Sequence, residues 1–443
     1  MTYIPQILFI AIAGIFGYFI SRRVGRIKAN INLGTDYKVT GDASERLKTM
    51  LLVAFGQKKM FKRWLPATFH FMIYIGFVLI NIEVLEIILD GIFGTHRLFA
   101  PLLGDFYTTI ISFFEILAVL VLLACVVFLA RRNVLKIDRF KKIEMKGWPT
   151  MDANLILVIE VVLMTAILSM NAADLALQKL GSVHYTPTGQ FLVSGSFASV
   201  FSGMSESSLI LIERGAWWFH IVGIFAFALY VTYSKHLHIF LAFPNTYFSR
   251  LTPKGQMENM DAVTNEVKLM LGMPVEGDVA PPAEGMKFGA QDVNDLNWKN
   301  IMESYSCTEC GRCTSECPAN LTGKKLSPRK IMMDTRDRAE DVGLAIQKGE
   351  KGLDDGKKLL GDYITKEEIN ACTSCNACVE ACPININPLD IILQMRRYVA
   401  MEESGSPQSW NSMFQNVETN FAPWKFAPTD RFKWADELKT PKA

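Results

Sequence analysis

The sequence predicts an all-α protein in two parts, a set of five membrane-crossing helices followed by a helical soluble half. Three observations carry this. Five apolar stretches, approximately 4–20, 66–91, 106–130, 153–179 and 212–242, approach or exceed the roughly 20 helical residues that span a bilayer. Residues from 243 onward contain no such stretch. That polar half carries eight of the nine cysteines in two runs of one spacing, separated by helical patterns and almost free of β-branched runs.

Orientation follows from the basic residues that flank the spans. Segment 21–63 carries eleven Lys and Arg and segment 131–146 carries seven, whereas the opposite loops, 92–105 and 180–211, together carry only Arg97. The chain is therefore expected to start outside a bacterial inner membrane and to place its soluble half in the cytoplasm. The first span has no charged leader and no small-residue cleavage site, so it reads as a retained helix. A net charge of +2 gives no sign of a nucleic-acid partner. The expected division is a membrane domain at 1–245, a polar linker at 246–300, a cysteine-bearing module at 301–400 and a partner-docking tail at 401–443. The linker contains Gly277-Asp278-Val279 and Ala280-Pro281-Pro282, which suits an extended tether.

The cysteine spacing is the most specific signal. Cys307-x2-Cys310-x2-Cys313-x3-Cys317-Pro318 recurs as Cys372-x2-Cys375-x2-Cys378-x3-Cys382-Pro383. This is the run that holds two [4Fe–4S] clusters, the fourth cysteine of each run serving the other cluster. The expected ligand sets are Cys307, Cys310, Cys313 with Cys382, and Cys372, Cys375, Cys378 with Cys317. Zinc takes four ligands and gives no reason for a repeated four-cysteine run with a trailing proline. A disulfide framework belongs to small secreted scaffolds.

Six histidines are present. His220 and His238 are 18 residues apart, five full turns if the fifth span is one helix, and so would share a face at opposite depths. His236 fits that stripe poorly. His70, just inside the second span after Pro66, matches the depth of His238. Two histidines facing each other at one depth would bind a haem iron axially, so His70 with His238 is the expected inner haem site. For His220 the second span offers Ile80, Asn81 and Glu83 but no histidine. His96 in the following loop is the first candidate partner for an outer haem, and His184 is the second. One or two haems b are thus expected.

The five-span layout, with Trp217-Trp218-Phe219-His220 and Ser234-Lys235-His236-Leu237-His238, resembles the respiratory nitrate reductase gamma subunit, a dihaem cytochrome b that oxidises quinol. It departs from that family in the second span, where two histidines about ten residues apart are usual and only His70 stands. The soluble half, through Leu326-Ser327-Pro328-Arg329-Lys330, Ala371-Cys372-Thr373-Ser374-Cys375 and Met395-Arg396-Arg397-Tyr398, resembles heterodisulfide-reductase-related membrane iron–sulfur oxidoreductases. Some of these fuse such a cytochrome b to a ferredoxin module of the α-helical type. The resemblance implies a quinone as diffusible substrate and a cytoplasmic redox partner, an electron-transfer flavoprotein or a dithiol. Long members continue into cysteine-rich CCG-type domains. No cysteine follows Cys382, so a separate cytoplasmic subunit is expected to carry that part.

The 54-residue insert between the runs carries helical patterns at 327–340 and 341–360. Glu83, Glu86 and Asp90 share a face of the second span, with Glu115 and Glu160 in the third and fourth. Carboxylates in spans face interiors or cavities, and a proton path is one reading while an interfacial position is the other. Cys125 stands alone in an apolar run as a small hydrophobe. No nucleotide-binding fingerprint and no nucleophile–base set is visible. Two readings follow: a quinone-linked electron-transfer subunit, or a membrane anchor with structural haem that recruits a cytoplasmic iron–sulfur reductase.

Overall fold

A computed structural model of the 443-residue chain describes residues 3–135, 137–253, 255–275, 287–350 and 355–439. Among the described residues, five helices are long and apolar enough to cross a membrane: α1 (Ile4–Ile31), α2 (Trp64–Phe93), α3 (Asp105–Asn133), α4 (Trp148–Leu180) and α5 (Glu206–Val231). Local chemistry sets their ends. Proline occupies the first turn of α1 and α4, where its missing N–H is no loss. Left-handed Gly94 and Gly181 close α2 and α4, and the Ser205 hydroxyl accepts from Ser208 N–H to open α5.

Successive helices α2 to α5 pack side by side as an up-and-down bundle. Their shared core includes Ile80, Ile111, Val121, Cys125, Ile156 and Leu163. Phe77, Leu85, Val126 and Val162 stay exposed on the outer surface, as a lipid-facing bundle requires.

The fifth span departs from expectation. It is not one helix to residue 242: α5 stops at Val231, a short turn covers Lys235–Leu237, and α6 (His238–Tyr247) starts afresh. The cause lies in α4. Buried Asp152 accepts from Ser234 Oγ at 2.7 Å, from Lys235 N–H at 3.2 Å and from the Tyr230 hydroxyl. These bonds hold Ser234 extended, so His220 and His238 do not share one helical face.

The linker also differs. Part of it forms α7 (Asp261–Met270), and residues from 287 on join the module, with Ala290, Val293 and Leu296 buried. Gly277–Val279 and Ala280–Pro282 lie outside the described residues. The module is helical: α8 (Trp298–Ser306), α9 (Arg312–Ser315), α10 (Pro328–Gln347), α11 (Ala377–Ala381) and α12 (Pro388–Met401). The helix expected at 327–340 runs on to Gln347. Beyond it, the described part of 341–360 reaches only the start of one irregular turn, Leu359–Tyr363, and residues 351–354 lie outside the described residues. No strand occurs among the described residues, only two isolated bridges. In the tail, α13 (Gln408–Asn420) leaves Trp410, Phe414 and Val417 exposed.

The module core takes in the end of α1 and the turn after α5. Ile27 of α1 and Leu237 pack in one cluster with Ile301, Ile331, Val342 and Met395. Polar contacts flank it. Arg23 makes a two-pronged bond to Glu340, both distances 2.8 Å, and Asn30 Nδ2 donates to the Tyr305 hydroxyl at 2.9 Å. Gly343 of α10 lies directly against the Asn30 side chain, with no room for a Cβ.

Candidate metal centres

The two cysteine runs fold alike. In each, the second and fourth residues after the lead cysteine are left-handed: Glu309 (φ 54°) and Gly311 (φ 70°), then Ser374 (φ 55°) and Asn376 (φ 60°). Left-handed geometry costs a non-glycine residue roughly 1–2 kcal/mol, so three such residues mark a loop shape that the surrounding packing has to hold. The turn lays the Glu309 N–H on Cys307 Sγ and the Ser374 N–H on Cys372 Sγ, each at 3.4 Å. Short helices α9 and α11 then carry Cys313 and Cys378 and pack against each other.

This packing exchanges the fourth cysteines. Cys382 joins Cys307, Cys310 and Cys313 around one cavity, with Arg312, Arg329, Met332 and Ile386 among its walls. Cys317 lies instead within electrostatic reach of Cys372 and Cys378. Among the described residues no three His, Cys, Asp or Glu stand at the spacing of a single metal ion. The thiols surround a volume, which fits a cluster and not a structural zinc.

Burial, with neighbouring thiolates adding, pushes the Cys307 and Cys378 thiols up to about 12 and Cys382 to about 11. Such thiols would need the positive charge of iron to stay deprotonated. The two sets differ in setting. Each has two buried cysteines, Cys307 and Cys382 in one and Cys317 and Cys378 in the other, but only the second includes an exposed one, Cys375.

The inner set faces the bundle. Arg312 Nη1 donates to the Met60 carbonyl at 3.1 Å, and Lys59 Nζ donates to the Val379 carbonyl at 3.1 Å and to Asn385 Oδ1 at 2.9 Å. Arg329, fully buried, bonds Glu144 at 2.7 Å and the Arg139 carbonyl at 2.7 Å.

Beside this contact stand His70 and His238, ring centroids 6.4 Å apart and tilted by 40°. Nδ1 of His70 bonds Gln57 Oε1 at 3.1 Å, and Nδ1 of His238 bonds the Lys235 carbonyl at 3.1 Å. Both rings thus leave Nε2 as the atom for a metal, the arrangement usual for ligating histidines. His236 packs edge-on against His238, centroids 5.3 Å apart.

His220 lies buried in α5 with Nδ1 on the Leu163 carbonyl at 3.0 Å, and its Nε2 has no hydrogen-bond partner. The structure does not bring His96 to it. His96 turns Nε2 toward Asp174 at 3.4 Å and its ring toward Tyr185. His184 is exposed.

The span carboxylates at the far end are held in a buried network. Glu86 accepts from Phe99 N–H and the Tyr107 hydroxyl, each at 2.8 Å. Asp90 accepts from Arg97 N–H at 2.9 Å, and Glu115 from Val193 N–H at 2.9 Å. Arg97 donates to Asp174 at 2.7 Å and to Asn171 at 2.8 Å. These bonds pin the far loops to the bundle. Glu160 stands apart, within reach of Cys125.

Sequence reasoning missed Gln57, Lys235 and Glu309. Lys235 Nζ pairs with Glu309 in a buried contact. The only trace in the sequence is a mismatch between the runs, Glu309 where the second run has Ser374.

Residues 306–386 match a family model described as a 4Fe-4S dicluster domain. The chain is 28% identical to the probable iron-sulfur-binding oxidoreductase FadF of Bacillus subtilis (strain 168), over 96% of this chain and 59% of that protein. It is 26% identical to the EtfAB:quinone oxidoreductase of Syntrophomonas wolfei, over 89% of this chain and 54% of the relative. A shorter match, 32% identical over 23% of this chain and 49% of the relative, is to one of the subunits of the ferredoxin/F(420)H(2)-dependent CoB-CoM heterodisulfide reductase of Methanosarcina acetivorans. The chain is related to iron–sulfur oxidoreductases. It spans little more than half the length of the first two. No solved structure matches significantly.

Proposed function

We propose that the chain is a membrane electron-transfer subunit linking a cytoplasmic redox partner to the quinone pool. In this reading Cys372, Cys375, Cys378 and Cys317 hold a [4Fe–4S] cluster at the surface, where a partner docks. Cys307, Cys310, Cys313 and Cys382 hold the second, and His70 and His238 hold a haem b. These groups supply one-electron chemistry when bound, and the protein orders them in space.

The observation that carries the reading is the histidine pair beside one cysteine set: Arg312 of the Cys307–Cys382 cavity bonds the segment that leads into α2, where His70 faces His238, while Cys375 of the other set is exposed. The histidine spacing supports it. Metal–nitrogen bonds of about 2 Å on either side of one iron leave ring centroids roughly 6.5 Å apart, against 6.4 Å here. Basic residues crowd the module end of the bundle, which favours the cytoplasm for the module. The EtfAB:quinone oxidoreductase relative suggests an electron-transfer flavoprotein and a quinone as the two ends. A subunit with cysteine-rich domains is the other partner in this reading, in keeping with shorter matches to heterodisulfide reductase subunits.

His70→Ala tests the reading. Expected are loss of the haem bands from the reduced-minus-oxidised spectrum of purified membranes and of quinol-dependent cluster reduction, with iron content of the module retained. A parent chain without extractable haem, or a variant with unchanged turnover, would overturn it.

A further inference from the structure

Lys235 and Glu309 are neither thiols nor imidazoles, yet they join the two kinds of ligand. The Glu309 N–H donates to Cys307 Sγ at 3.4 Å. Its carboxylate takes the Lys235 ammonium. The Lys235 carbonyl in turn holds Nδ1 of His238 at 3.1 Å. Two residues therefore lead from a thiol of the inner set to a ring of the histidine pair.

Every part of this link is held from a second side. Arg336 bonds the other Glu309 oxygen at 2.8 Å, Lys235 Nζ also donates to the Pro149 carbonyl at 2.5 Å, and Asp152 holds the Lys235 N–H at 3.2 Å. Lys235 is 8% and Glu309 3% exposed. Docking by itself would not call for a buried ion pair ending on a candidate ligand at each side. Arg23 and Glu340 already latch the two parts without touching a thiol or an imidazole.

We propose that Lys235 and Glu309 are positioning residues for electron exchange between the iron centre on Cys307 and the one on His238, a proposal that rests on the function inferred above. The step moves one electron, oxidising one centre and reducing the other, with no bond made or broken and no proton carried. The link provides one path of covalent and hydrogen bonds, and through the Lys235 carbonyl it sets the plane of the His238 ring.

The test uses the full chain, purified in detergent, as Glu309→Gln, Lys235→Met, the double variant and Lys235→Arg. Haem and iron contents are measured first, then the low-spin haem EPR signal. Last comes the rate at which an electron placed on the clusters by a photoreductant reaches the haem. Expected are unchanged contents, a shifted haem signal in Lys235→Met, and a rate lowered roughly tenfold or more, the usual scale for losing a ligand's support. The double variant should be no slower than the slower single one, since both cut one path, and Lys235→Arg should restore most of the rate. Full contents with rates within about twofold of the parent would overturn the proposal and leave the proposed function standing. A parent chain without haem would overturn that function itself. Should Lys235→Met fail to assemble, the isosteric Glu309→Gln decides alone.

Discussion

Among single residues, Cys317 and Cys382 separate chain order from spatial order most clearly. Cys317 belongs to the first run in sequence but sits by Cys372 and Cys378, and Cys382 lines the cavity of the first run. Cys317→Ser is therefore expected to remove the EPR signal of the surface cluster and spare the inner one, and Cys382→Ser to do the reverse. Loss of the same signal from Cys317→Ser and Cys307→Ser would mean that each run serves itself. These cysteines were legible because a cubane dictates ligand spacing along the chain. Gln57, Lys235 and Glu309 were not, since their roles depend on neighbours from 13 to 74 residues away. His96 illustrates the same limit. Its loop position suggested a partner for His220, but buried Asp174 and Tyr185 lie nearer to its ring.

At the scale of elements, all five spans were legible as elements, and the second to fourth within about five residues at each end, because bilayer thickness fixes both length and hydropathy; α1 runs on to Ile31, past the expected end at residue 20. The break after Val231 was not, because its cause is a carboxylate in another helix, Asp152. Helix α10 carries a prediction of its own. A Cβ on Gly343 would meet Asn30 Oδ1 at 1.9 Å, whereas one on Gly25 of α1 would meet nothing within 4 Å. Gly343→Ala should lower thermal stability by about 1–3 kcal/mol through overpacking. Gly25→Ala should be neutral or stabilising by up to about 1 kcal/mol, as replacing a helical glycine commonly is. Thermal unfolding of the detergent-solubilised chain measures both, and equal effects would refute the close contact of α1 with α10.

For the whole molecule, the largest surprise is how firmly the module is seated. The polar linker suggested a tether, because composition reports flexibility but not what a segment packs against. Residues 287–297 instead belong to the module, which shares apolar core with α1. Glu144 bonds the module through Ser327 and Arg329, each at 2.7 Å. Burial alone would raise its carboxyl, yet these partners hold it below the usual range. A depressed carboxylate stabilises above its unfolded value of about 4.3 and loses that contribution as pH falls through the folded value. Glu144→Gln should thus lower thermal stability at neutral pH by about 2 kcal/mol, the scale of a hydrogen bond to a charged group. The gap to the parent should narrow below about pH 4. A gap that widens in acid would show the sign to be wrong. Seating of this kind has a mechanical consequence. A domain packed on the end of α1 and held to its support by buried ion pairs has no hinge to swing on, so the proposed wire would run without a shuttling arm. The parts that travel would be the partner at one end and the quinone at the other.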